Sequence, residues 1–122
     1  MTDYRRGDVV MTRNGLPYTV RSIADDLRGQ KVAKLSPLQP GPGRHATRAA
    51  SAYLRLVRTA ELSMCLQYLD SAERDGVEPW QRERDLRWAD HWLGKAMHRN
   101  DDTQDELHRV SDRLMDHERQ AA

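Results

Sequence analysis

The chain has no phenylalanine at all, and only three tryptophans and four tyrosines in 122 residues. A core without Phe rests on Leu, Val, Ile and Ala. With 38% hydrophobic against 32% charged residues, that core is lean. A chain with so little to bury leans on a partner for part of its stability. A single cysteine, Cys65, excludes an internal disulfide. No apolar run approaches the length of a membrane span. The polar start Met1–Arg6, with no apolar stretch after it, does not have the pattern of a signal peptide. A cytoplasmic protein is the expectation. Phosphate-cradling glycine loops, HExxH pairs and serine-centred nucleophile elbows are also missing. No enzymatic activity and no cofactor are therefore expected.

What is present is charge, unevenly placed. Residues 1–58 hold eleven Arg/Lys and four Asp/Glu, a net +7, and residues 59–122 hold nine and fifteen, a net −6. The whole chain is close to neutral at +1. Such a split bears on partners rather than on fold, although the two halves can also simply attract each other. Arginine outnumbers lysine seventeen to three, the mark of a GC-rich genome.

The organising stretch is 8–35. Asp8–Arg13 and Leu16–Ile23 are β-prone runs around Asn14-Gly15, the strongest short-range hairpin signal, read here as a type I′ turn. Asp25–Gly29 marks a second turn before Lys31–Leu35. Val9, Val10, Tyr18, Val20, Ile23, Val32 and Leu35 are the candidate core, on roughly alternating positions. Residues 36–44 hold three of the five prolines and read as a surface loop. Arg44–Arg48 is a candidate fourth strand, residues 49–51 a helical turn, and Tyr53–Val57 a fifth strand with Leu54 and Leu56 inward.

Five short strands in about 55 residues match a small SH3-like barrel. The run Arg6-Gly-Asp-Val-Val10, the turn, and Tyr18-Thr-Val20 resemble the opening of KOW/Tudor-type SH3-like modules. The resemblance covers residues 5–57. It implies a fold, and membership of a group that binds RNA polymerase, ribosomes, nucleic acids or peptides.

Residues 59–122 read as helices over about 59–75, 79–99 and 103–119. Thr59 is the candidate N-cap of the first. Leu62, Cys65, Leu66, Leu69 and Ala72 share a face that Met64 and Tyr68 widen. Gly76 ends it, and Pro79 opens the second helix. There Leu86, Ala89, Trp92, Leu93, Ala96 and Met97 form the apolar arc, with Trp80 and Trp88 outside it. Asn100-Asp101-Asp102 is a break, and Thr103–Glu106 a capping box. Leu107, Val110 and Leu114 form a narrow stripe on the third helix, a candidate oligomer seam. The expected architecture is α+β: a five-stranded SH3-like β-barrel over 1–58, then an amphipathic helical hairpin and a third helix over 59–122. The order of parts loosely resembles CarD-like polymerase-binding regulators, which implies transcription. The acidic helical half departs from their DNA-contacting part.

Cys65 falls inside an apolar arc and reads as an inert buried thiol. The five histidines show no zinc-site spacing, so no metal is expected. Trp80 and Trp88, with Arg84 and Arg87 beside them, are the candidate partner-binding residues, because tryptophan and arginine are enriched at binding hot spots. The competing reading has both tryptophans covering the junction of barrel and helices. Arg13, Arg21, Lys31, Lys34, Arg44, Arg48 and Arg55 are candidate nucleic-acid-binding residues if several share a face. Tyr4, Tyr18 and Tyr53 are candidate stacking surfaces, with core as the alternative for Tyr18 and Tyr53. The functional expectation is a non-enzymatic adaptor or inhibitor of a large protein partner, of the kind phages and mobile elements direct at host machinery. The alternative is a transcription-associated or nucleic-acid-binding factor using the basic barrel. Self-association through the third helix is a further expectation.

Overall fold

Asn14-Gly15 does make a hairpin, but not the expected turn. Gly15 N–H donates to the Thr12 carbonyl at 3.0 Å and Thr12 N–H to the Leu16 carbonyl at 3.2 Å. Gly15 has φ +78°, while Asn14 is not among the positive-φ residues. This is a three-residue loop, a type I turn closed by a left-handed glycine, rather than a type I′ turn with two left-handed residues. The Thr12 hydroxyl also bonds the Asn14 side chain. Nothing surrounds Gly15 closely, so only its backbone conformation demands glycine. Gly15→Val is expected to cost roughly 1 kcal/mol or more through that φ. A thermal melt of the variant checks this, and an unchanged Tm rejects the assignment.

The structure is a computed structural model describing residues 3–39 and 41–121. It divides into two units, Met1–Ala60 and Glu61–Ala122. The first is an antiparallel sheet of β1 (Val9–Met11), β2 (Pro17–Asp25), β3 (Lys31–Pro37), β4 (Thr47–Ala50) and β5 (Arg55–Arg58), in the order β4-β3-β2-β1-β5. A 3-10 turn, Ser51–Tyr53, joins the last two strands.

Val10, Tyr18, Val20, Ala33, Leu35 and Leu54 make the sheet's core, with Tyr4, Leu16, Ile23, Ala49 and Leu56 packed against it. Ala33 rather than Val32 faces inward. The ladder sets Val20 opposite Leu35 and Ile23 opposite Ala33, with a bulge at Arg21 that shifts the alternation. The fourth strand starts three residues later than expected and leaves Arg44 in the loop. The fifth starts at Arg55, because residues 51–53 coil into the 3-10 turn.

The Gly7-Asp8 step of the resemblance motif has a structural job. Gly7 has φ +92°, and a Cβ there would lie 3.0 Å from that of Ala60. Asp8 is fully buried. Its Oδ2 accepts the Arg5 N–H at 2.8 Å, and its Oδ1 accepts the Ala60 N–H at 2.7 Å. Ala60 is the first residue of α1 (Ala60–Ala72), so an aspartate 52 residues away satisfies an orphan amide at that helix start.

The second unit holds the rest of α1, then α2 (Pro79–Arg99) and α3 (Gln104–Ala121). Proline opens α2, a Glu78/Gln81 capping box closes its first turn, and left-handed Asn100 ends it. Leu62, Cys65 and Leu69 meet Ala89, Leu93 and Ala96 of α2 and Leu107, Val110 and Leu114 of α3 in one buried cluster. The candidate oligomer seam is therefore taken up inside the chain, with Leu107, Val110 and Leu114 each no more than 5% exposed. The narrow stripe looked unpartnered because helices one and two supply the rest of the core around it.

Two charge clusters brace this unit. The Arg99 side chain is 4% exposed; it donates to Glu61 at 2.8 Å and to Asp101 at 2.9 Å. Arg113 reaches Asp70 at 2.7 Å and also Glu73, which His117 approaches at 3.1 Å. The hydrogen bonds from Arg113 hold the Glu73 carboxyl below its ordinary value; partial burial opposes this and His117 reinforces it. Among the described residues, no helix is long and apolar enough to cross a membrane.

Candidate interaction site

On α2, residues 80, 84, 87 or 88 and 91 recur at helical spacing and so share one face. The structure brings all four candidate partner-binding residues together there. Trp80, Arg84, Arg87 and Trp88, with Glu83 and His91, line a shallow hollow of about 490 Å³. Trp80 is 61% exposed and Trp88 44%, so neither is a buried cover.

Local contacts fix the side chains. The Arg84 guanidinium lies 5.4 Å from the centre of the Trp80 ring, within cation–π range. It also reaches Asp85, a buried carboxylate, at 3.6 Å. Arg87 pairs with Glu83 at 2.7 Å. Trp88 stacks on Tyr68 of α1, with ring centres 6.0 Å apart and planes 21° from parallel. His91 sits edge-on to Trp88 at 5.5 Å and to Trp92 at 5.4 Å. The tryptophans are thus held in place while much of their surface stays open. Sequence reasoning missed Tyr68 and His91 as part of this face. The 84–88–91 spacing was the signal for His91; Tyr68 lies on another helix and gave none.

The seven basic candidates do not form one patch. Lys34 and Arg48 are directly opposed across β3 and β4 and share the outer face of the sheet. Arg21 projects at the β2 bulge and bonds the Ser36 hydroxyl at 2.8 Å. Lys31 pairs with Asp25 at 3.1 Å, and Arg44 holds Gln39 at 3.3 Å in the loop. Arg55 rests on the Met11 sulfur. Arg13 lies over the Tyr53 ring, 4.1 Å from its centre. Of the three tyrosines, Tyr18 is core, Tyr53 is 56% exposed, and Tyr4 is half-buried and donates to the Leu54 carbonyl at 2.8 Å. Burial and the nearby Asp8 charge raise the Tyr4 hydroxyl's pKa.

Cys65 is fully buried, and that burial pushes its thiol up to about 11, the opposite of what a nucleophile needs. Among the described residues, no group of three or more His, Cys, Asp or Glu is placed to hold a metal ion. Comparison of the chain with protein-family models, with curated proteins and with solved structures finds no match.

Proposed function

We propose that the chain is a non-enzymatic adaptor or inhibitor that binds a large protein partner in the cytoplasm through the Trp80–Trp88 face of α2. We read its sheet unit as an SH3-like small barrel of the KOW/Tudor kind. The observation that carries the functional reading is two tryptophans, held by neighbours yet 61% and 44% exposed, in one hollow. Exposed aromatic area of this kind beside arginine is the composition of a binding hot spot. The charges around it are already matched, Arg87 to Glu83 and Arg84 to Asp85, so a partner gains from the apolar rings without stranding a charge. The acidic helical half suits a basic cleft on the partner, which is how a phage or mobile-element protein would occupy host machinery.

The test is capture of partners by the wild-type chain and by Trp80→Ala and Trp88→Ala, with identification by mass spectrometry and affinity measured on the partner found. Because both side chains are exposed, the variants should keep their helix content. A hot-spot tryptophan should cost about tenfold or more in affinity. Equal affinity of both variants would reject this face.

A further inference from the structure

We propose that Tyr53, with the Arg13 guanidinium stacked on it and Arg48 and Arg55 beside it, is a binding site for single-stranded nucleic acid. This goes beyond the protein-partner reading and rests on a different unit of the chain.

The 3-10 turn that replaces the expected strand start creates the site. It sends Leu54 into the core and leaves Tyr53 56% exposed. Three hollows meet at this ring. One, of about 470 Å³, is lined with Met11, Arg13 and Arg55. A second, of about 280 Å³, is lined with Arg13, Tyr18 and Arg48. The third, of about 700 Å³, runs past Tyr4, Ile23 and Lys31. Tyr53 thus borders all three hollows and Arg13 two of them; the third takes Lys31, which pairs with Asp25, and Asp3.

Those charges are largely unspent. Arg13 has only the Tyr53 ring, Arg55 only the Met11 sulfur, and Arg48 no carboxylate partner among the described residues. The unit's few carboxylates are mostly engaged elsewhere. Asp8 is buried on two backbone amides, Asp25 holds Lys31, and Asp26 accepts the Arg28 and Gln30 N–H groups of the turn. The unit's net +7 therefore faces outward, complementary to a phosphate chain.

The exposed ring selects the single strand. A base can lie on a tyrosine or on a guanidinium plane only if its own face is free, and in a duplex both faces are occupied by neighbouring pairs. Stacking accepts any base, so the site would read strandedness rather than sequence. Arg48 and Arg55, each lining a hollow that Arg13 and Tyr53 also line, are placed to take the phosphates flanking a stacked base.

The experiment is fluorescence anisotropy of the full chain titrated into a labelled oligothymidylate of about 15 nucleotides and into the matching duplex, over a series of salt concentrations. The single strand should bind at least about tenfold more tightly, with affinity falling as salt rises. Tyr53→Ala should weaken binding roughly five- to a hundredfold without changing the salt slope, and Tyr53→Phe should restore it. Arg48→Gln and Arg55→Gln should each lower the slope by about 0.7, one phosphate apiece. No binding at low salt would overturn the proposal, as would equal duplex affinity with Tyr53→Ala inert. Displacement by polyglutamate at equal charge would assign the patch to acidic proteins and overturn it too.

Discussion

Leu114→Asp should unfold the helical unit rather than dissociate an oligomer. Leu114 is 3% exposed, in a cluster fed by all three helices. Truncating such a leucine costs about 2–5 kcal/mol, and the aspartate adds the cost of an unpaired buried charge. A unit of some 60 residues has a total stability of only about 3–9 kcal/mol, so the loss consumes most or all of it. Circular dichroism should show a collapse of the helical signal. A variant with wild-type helicity and reduced self-association would instead restore the seam reading of the third helix.

The second large effect is expected at Asp8. Asp8→Ala removes the acceptor for two backbone amides, Arg5 and Ala60, at a site with no solvent exposure. An orphaned buried donor costs about 1–3 kcal/mol, so roughly 2–6 kcal/mol is at stake for the two. In a small unit this corresponds to a Tm lower by about 10 °C or more. Asp8→Asn keeps an acceptor oxygen for one of the two amides and should fall between the variant and the wild type. A melt that places Asp8→Ala within a degree or two of the wild type would refute the role given to this carboxylate.

Both sites show where sequence reading runs out. Helix α2 was legible to the residue, 79–99, because Pro79 and Asn100 are punctuation that acts within one turn. The hairpin was legible for the same reason, through Gly15, although turn type depends on how many residues the strands leave over. The face of β3 was not legible: Val32 and Ala33 are adjacent apolar residues, and the bulge at Arg21 decides between them. The sequence Thr-Arg-Ala-Ala of β4 has no alternation to read and becomes a strand by pairing with β3.

Asp8 and Arg99 escaped because their partners lie 52 and 38 residues away, where no local pattern reaches. The four residues of the α2 face were visible because helical spacing places them. Tyr53 was ambiguous between core and surface until the 3-10 turn fixed which way the chain rolled. The excess of cations in residues 1–58 was countable, but the grouping of the seven candidates depends on sheet order, which charge counts do not contain.

The lone cysteine turns into an instrument. Cys65 sits with no solvent contact among residues from all three helices, and burial raises its thiol to about 11. In the closed state it is both unreachable and almost wholly protonated, so a thiol reagent reacts only during openings of the helical unit. With no second thiol in the chain, the labelling rate reads the population of those openings directly, as a clock written into the native sequence. The same seclusion shields the thiol from oxidants for as long as the helices stay together. Loss of that protection would mark the moment at which the unit begins to come apart.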